Sequence, residues 1–542
     1  MQSQEFRNLA RQLKDNLSRL MEKRQNFESH WQEVSDYMLP RKAEITKQRA
    51  RGDKRHTLIY DATAIHALEL LAASLHGMLS SSSSKWFSLR FKETELNNID
   101  EAMEWLEDAQ VRMYDAIAKS NFQQECFEIY FDLIAFGTAC LMIEEDREDV
   151  LLFSARHIKE VYIQENKKGF VDTIYRKFKM PAQAAVDKFG ADRVSKDIIN
   201  KFKKSPFDDI TLVHVCRPRL DFDPKKQDKQ NMPFQSIYFE EESGHIISIG
   251  GFREMPYVIP RYLKSSTETY GRSPGMSALA DVKVLNRMVS NSLKAAAKMI
   301  DPPLLVSDDS VLAPIRMSPG SINFFRAGSR DTITPLRIDA NITATLSNEN
   351  QRRDAIAKMF HVDQLLSTED KRNMTATEIL QKQNEKMQTL GPVLGRLQSE
   401  LLSPLIIRIF NIMLRQGLFL PAPEMLQQQE LKIEFVSPLA KAQRQQELQS
   451  LMRGLEIFGS MSQALPVMDY IDDNGMVKQI IDILGIPASV IKSDAEVQQL
   501  REERAQAEQA AMEQQQQLAE TQMAKNAAPL AKVVQDGSQQ RS

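Results

Sequence analysis

The chain has 542 residues, of which 42% are hydrophobic and 7% aromatic, and its formal net charge is −3. That length exceeds what one core usually holds, so about two to four domains are expected. The balanced charge excludes a bulk polycation that coats nucleic acid and leaves any DNA or RNA contact to local patches.

Residues 5–38 place Phe6, Leu9, Leu13, Leu17, Leu20, Phe27, Trp31, Val34 and Met38 at helical spacing, and Pro40 stops the helix this predicts. A basic loop, "RKAEITKQRARGDKR", follows at 41–55. A second helix opens at Asp61, read as its N-cap. It ends in the run Ser80–Ser84, whose hydroxyls compete for backbone groups. Residues 100–122 and 123–137 predict two more helices. From 138 to about 260 the texture changes to short β-rich runs such as "VLLFSA", "TLVHVCRPR" and "HIISIGGF", interrupted by one helix at 181–190. This predicts an α+β region with a mostly antiparallel sheet.

From 273 the chain is mainly helical. One long helix, 274–300, is stopped by Asp301-Pro302-Pro303, a β-prone excursion follows, and a return helix occupies about 341–360. A helix of this length reaches about 40 Å, and such a hairpin makes sense if copies pack side by side. The loop "EDKR" (369–372) then runs into Thr375 and Glu378, which have capping-box spacing. A substrate lid, a loop that touches nucleic acid and a plain surface connection all fit it. The tract 376–416 is expected to kink or split at Pro392 and Pro404, 431–439 to form a strand, and 440–490 a small helical module. A Gln-rich helix closes the chain; alone it would be marginal, so it associates with copies of itself or stays partly disordered.

The chemistry-bearing patterns are sparse. Gly271-Arg272-Ser273-Pro274-Gly275 has the formal shape of a nucleophile elbow. In that motif the residue after the serine donates its N–H to the oxyanion, and proline has none. Ser273 as N-cap with Pro274 as first helical residue fits better. No glycine precedes a lysine, so there is no Walker A loop, and the eight histidines contain no HExxH pair. Cys126, Cys140 and Cys216 have no zinc spacing and suit a reducing cytoplasm. No catalytic residue, cofactor or metal is called. The N-terminus lacks the apolar core of a signal peptide, and the longest apolar stretch, 133–143, is too short for a bilayer; a soluble intracellular protein without a membrane anchor is expected. Lys283, Arg287, Lys294 and Lys298 fall within a sector of about 60° on the long helix. They form either a solvated face or a basic stripe for phosphate or an acidic neighbour. Val282, Leu285, Met288, Val289, Leu293 and Ala296 lie opposite.

Five segments together resemble the portal, or head-to-tail connector, family of short-tailed double-stranded DNA bacteriophages: "LIYDATAIHALELLAASLHGML…KWFSL" (58–89), "SNFQQECFEIYFDLIAFGTACLMIEE" (120–145), "VIPRYLKSSTETYGRSPGMSALADVKVLNRM" (258–288), "DPPLLV" (301–306) and "NMTATEIL" (373–380). The match runs in order from about 5 to 440. The resemblance implies a predominantly helical α+β portal fold assembled as a ring, usually of twelve subunits, at one capsid vertex. It assigns 1–265 to a wing, 266–300 and 341–360 to a two-helix stem, and 301–340 to a clip. Residues 361–436 return to the wing, with a channel loop at 361–374; 437–495 form a crown and 496–542 a barrel helix or partly disordered tail. It implies a conduit for double-stranded DNA during packaging and ejection, with Glu369, Asp370, Lys371 and Arg372 facing the passage and Thr375 and Glu378 fixing where the loop ends. The implied partners are terminase, tail adaptor and nozzle proteins, major capsid and scaffolding proteins, and internal ejection proteins. The implied place is the virion, after assembly in the host cytoplasm. Another ring-forming tail or ejection-channel protein is the alternative.

Overall fold

The computed structural model describes residues 4–48, 52–55, 58–93, 96, 99–223, 226, 228–305, 334–335, 342–365, 390–423, 431–435, 438–461, 473–484, 496–514 and 517–518. The chain divides into two compact units. The first comprises Met1–Ser88, Val111–Phe419 and Ile433–Ala440, and the second Leu89–Gln110, Leu420–Lys432 and Lys441–Ser542.

In the first unit, helix α1 (Gln4–Met38) is followed by a 3-10 turn at Pro40–Lys42. Helix α2 (Thr63–Leu79) has its cap one residue later than the Asp61 read from sequence. Ala62 occupies the cap position, while Asp61 Oδ1 accepts from Thr63 N (2.9 Å) without entering the helix. After β1 (Phe87–Phe91) come α3 (Asp100–Lys119) and α4 (Phe122–Phe136). Gly137 ends α4 at φ 76°, a left-handed conformation that glycine adopts without steric cost.

The β-rich region builds two sheets. Strands β2 (Leu141–Glu145), β3 (Leu151–Ala155) and β9 (Tyr257–Val258) pair antiparallel with β2 central. Strands β4 (Val161–Glu165), β5 (Val171–Pro181), β6 (Asp209–Pro218), β7 (Phe234–Glu240) and β8 (Ile246–Phe252) form an antiparallel meander in that order. Alternation along the strands sends Val213, Val215, Ile237 and Phe239 to one face, where Ala10, Leu13 and Leu17 of α1 cover them. Phe178, Leu212 and Ile247 go to the other face, under α5 (Ala182–Phe189) and α6 (Lys196–Lys204). The sequence reading had one helix here, and α6 is a second. Its start is marked by Ser195, whose Oγ accepts from Ile198 N (3.2 Å).

Helix α7 (Pro274–Ile300) runs out, β10 (Leu304–Leu305) pairs with β11 (Thr334–Pro335), and α8 (Ile342–Met359) packs back on α7. A short turn, α9 (Val362–Leu365), follows. Helix α10 (Leu390–Arg415), where a kink or split at Pro392 and Pro404 was expected, continues past Pro404 through a π segment. A π turn at Gln398–Leu402 sits directly before Pro404, and Ser403 N reaches Gln398 O. Widening that turn accommodates the proline ring, which would otherwise crowd the carbonyl four residues back. By length and composition α10, and not 133–143, is the longest apolar helix described. It presents Leu405, Ile406, Ile409, Ile412 and Met413 to the interior of the unit, as a core helix does. Beyond it come β12 (Leu431–Phe435), α11 (Pro438–Met461), α12 (Asp473–Leu484) and α13 (496–514). Within the second unit, Trp105 Nε1 donates to Leu420 O (2.9 Å).

Candidate functional site

The α7–α8 hairpin is the feature that the fold projects, and its base is fixed by backbone contact. Gly137 and Gly271 touch so closely that a Cβ on Gly271 would lie 2.1 Å from Gly137 O, and a Cβ on Gly275 would lie 3.0 Å from Ile134 O. Glycine is required at 271 because two backbones meet there. Ser273 then caps α7: its Oγ accepts from Met276 N (3.0 Å) and donates to Ala135 O (2.8 Å), satisfying one orphan amide and tying the helix start to α4. This buried hydroxyl is fully engaged, and no histidine takes part in its bonds.

One level up, Asn286 is buried on α7. Its Oδ1 accepts from Tyr60 N (2.7 Å) and Asp61 N (3.1 Å), and its Nδ2 donates to Val282 O (2.9 Å). Asp61 Oδ2 accepts from Arg353 Nε of α8 (2.9 Å). Burial alone would raise the Asp61 carboxyl, but the bonds from Thr63 and Arg353 outweigh it and hold the group below its ordinary value. Ser292 Oγ donates to the buried Glu349 Oε1 of α8 (2.5 Å), and Arg352 pairs with Asp281 (2.6 Å). The two helices are therefore cross-braced by polar groups up to Ser292.

Above that level the packing thins, with Ala295 and Ala296 half-buried. Val282 and Leu285 are buried and Met288 and Val289 half-buried, but Leu293, expected on the same apolar side, is 57% exposed. No residue of α7 after Ser290 is buried, and Met299, Ile300 (85%) and Leu346 are exposed as well. The basic stripe is exposed along its whole length. Lys283 Nζ reaches Glu33 Oε2 (3.2 Å), whereas Arg287, Lys294 and Lys298 meet no carboxylate among the described residues. Glu369, Asp370, Lys371, Arg372, Thr375 and Glu378, and residues 306–333 of the expected clip, lie outside the described residues.

Sequence reasoning missed a buried charge cluster where α10 meets the approach to α7. The Arg261 guanidinium pairs with Glu400 Oε1 (2.8 Å) and Oε2 (3.0 Å), pairs with Glu165, and donates to Gly169 O (2.9 Å) and Thr269 O (3.2 Å). The Arg261 backbone N–H also donates to Glu400 Oε2 (3.0 Å). Glu400 lies in the π turn of α10. Burial would lower the Arg261 pKa, but the bonds to Glu400 and Glu165 prevail and raise it. A second buried arginine, Arg24, holds α1 to the edge of the five-stranded sheet, donating to Ile158 O, Lys159 O and Val161 O (2.8, 2.9 and 2.6 Å). Among the described residues no group of three or more His, Cys, Asp or Glu is arranged to hold a metal ion.

Comparison with known proteins identifies the family. Residues 10–491 match the family described as bacteriophage head to tail connecting protein. The chain is 32% identical over 503 residues to a probable portal protein of Bordetella phage BPP-1, and 31% identical over 505 residues to the portal protein of Salmonella phage epsilon15. Each alignment covers 91% of both chains. The portal protein of Enterobacteria phage T3 is 23% identical over 417 residues, covering 72% of this chain and 71% of that one. These matches run through the anchored hairpin and both sheets, so the chain belongs to the bacteriophage head-to-tail connecting protein family, the portal proteins, and is a structural component of the junction between head and tail.

Proposed function

We propose that copies of this chain close into a ring, of the twelve subunits the resemblance implies, and that the ring is a passage for double-stranded DNA during packaging and ejection. The observation that carries this reading is the outer half of the α7–α8 hairpin. It is braced below Ser292 and has no core of its own above Ser290, yet it exposes Leu293, Met299, Ile300 and Leu346. A pair of helices with unburied apolar residues is completed by neighbours, and heterologous side-to-side contacts that close on themselves make rings. In this reading α7 and α8 are the stem, 301–340 the clip that receives terminase and later tail adaptor proteins, and 1–265 with 361–436 the wing. Residues 437–495 are the crown and 496–542 the barrel. Charged residues 369–372 border the passage.

The near-neutral net charge suits this role, because each neutralised phosphate adds salt-dependent grip and a strongly basic lining would hold the DNA still. Negative-stain imaging of the purified protein tests the reading. Closed rings with a central hole are expected; filaments, sheets or a strict monomer would refute it.

A further inference from the structure

The two edges of the five-stranded sheet are treated differently. At the β4 edge, Arg24 occupies Val161 O together with the Ile158 and Lys159 carbonyls that lead into the strand, and the Tyr270 hydroxyl accepts from Ile163 N (3.2 Å), so groups of this chain occupy part of that edge. At the opposite edge, β8 pairs only with β7. From Ile247 to Phe252, one hydrogen bond among the described residues reaches β8 from outside that pairing, Arg219 NH2 to Gly250 O (3.2 Å). The strand reads "IISIGGF", with no lysine, proline or other charge of the kind that usually protects an exposed edge.

A groove of about 540 Å³ runs along this edge past Ile246–Ile249, with Phe6 of α1 on one side and Arg219, Asp221, Gln230 and Asn231 of the β6–β7 connection on the other. The same connection carries Leu220, 99% exposed, and the exposed Phe222. On the α1 side, Arg7, Arg11 and Lys14 lie within about 60° of one another around the helix. Lys14 Nζ donates to Glu242 O (2.9 Å) at the β7–β8 turn, which places that face beside the edge. Arg7 and Arg11 are exposed and meet no carboxylate among the described residues.

We propose that the β8 edge is a docking site for an extended segment of a different protein, one that adds a strand to the sheet and carries acidic residues toward α1 and apolar residues toward Leu220 and Phe222. Main-chain bonds to the strand give affinity and the flanking side chains give selectivity, as in other recognition by strand addition. The open stretch Ile247–Ile249 spans about 10 Å at ~3.3 Å per residue, so the contact is short and the affinity modest. The cationic α1 rim selects the charge of the incoming strand, and Asp221 on the far side repels an acidic residue placed there.

The test uses the assembled full chain and a fluorescein-labelled, acetylated and amidated decapeptide alternating valine and glutamate. Two analogues are N-methylated, one on its valines and one on its glutamates, so that each loses the N–H groups of one strand edge. Saturable binding of the parent peptide is expected, with one analogue about tenfold weaker than the other because two hydrogen bonds are lost. Leu220→Ser, at a side chain too exposed to affect folding, weakens the parent peptide. The pair Arg7→Glu and Arg11→Glu weakens it about fivefold and improves binding of a valine–lysine peptide. No saturable binding up to about 1 mM, or equal binding of both analogues, overturns the proposal. Release of subunits from the assembly by the parent peptide also overturns it, since that assigns the edge to a second copy of this chain. Because this readout involves neither ring imaging nor DNA, it fails or succeeds independently of the conduit reading.

Discussion

Replacing Glu400 by alanine removes the partner of a guanidinium that is itself 1% exposed. Arg261 keeps Glu165 and two carbonyls but loses both bonds to Glu400 and the acceptor for its own backbone N–H. Breaking a buried pair by deleting one member costs about 3–5 kcal/mol; the Arg261 charge keeps Glu165, so here the cost falls on the buried N–H groups that lose the Glu400 carboxylate. The first unit spans roughly 400 residues, and an unfolding entropy of ~2.1 cal/mol/K per residue gives it about 0.8 kcal/mol/K. The expected fall in melting temperature is therefore about 4–6 °C. Scanning fluorimetry at fixed protein concentration measures it, so that assembly contributes equally to both proteins. The double variant Arg261→Met with Glu400→Leu removes both charges and is expected to regain most of the loss. A Glu400→Ala shift below about 1 °C, or a double variant no better than the single, would refute the argument that this charge pair holds α10 to the segment that leads into α7.

Gly271→Ala is expected to yield no soluble folded protein on expression, since its Cβ has 2.1 Å to a backbone oxygen that cannot move alone. Ser273→Ala should cost about 1–2 kcal/mol by fluorimetry from the lost cap; a neutral result would mean that water replaces the hydroxyl. His214 is buried between Tyr257 OH (2.6 Å) and Ser236 Oγ (2.9 Å), and burial, followed by the nearby Arg176, pushes its pKa well below 6.5. The unfolded chain thus binds more protons than the folded one below about pH 6.5, so stability falls as pH drops through that range, by up to ~1.4 kcal/mol per pH unit for this group. His214→Gln should flatten that part of the pH–stability curve, and an unchanged slope would assign it to other groups. Reversing Lys294 and Lys298 to glutamate should leave rings intact by imaging while packaging of DNA falls; unchanged packaging would make the stripe a solvated face.

The elements that sequence made legible are those whose cause is local. Pro40 ends α1, the Ser273-Pro274 pair starts α7, and the β-branched apolar run in "TLVHVCRPR" marks a strand, which folding buries on both faces. Helix α6 was equally local and was missed only because its Ser195 cap opens a lysine-rich run that looks like loop. Other features depend on residues far apart in the chain. Nothing around Arg24 or Arg261 distinguishes them from surface arginines until the carbonyls of 158–161 and the Glu400 carboxylate are brought to them by folding. The π turn is of the same kind: Pro404 was visible, but the Arg261 that meets Glu400 within the turn before it is 139 residues away in the chain. For Leu293 the periodicity was read correctly and its consequence was not. It lies on the apolar side of α7, yet it is left more than half exposed.

Leu293 separates the two halves of the hairpin, and a substitution there tells apart two ways of being exposed. If the outer hairpin stands free in the assembled protein, Leu293→Asp removes exposed apolar surface and is neutral within about 0.5 kcal/mol. If a neighbouring copy covers it, the substitution buries a carboxylate without a partner at every subunit contact of a ring, and the penalty of several kcal/mol is repeated around the circle. The monomer fold is indifferent in both cases, because Asn286, Glu349 and Arg353 brace the hairpin below that level. Light scattering after size exclusion, with circular dichroism as the control for folding, is therefore expected to show a folded Leu293→Asp protein that no longer assembles. A folded variant that assembles as the wild type does would mean that the apolar tip faces solvent, and that contacts elsewhere in the chain hold the copies together.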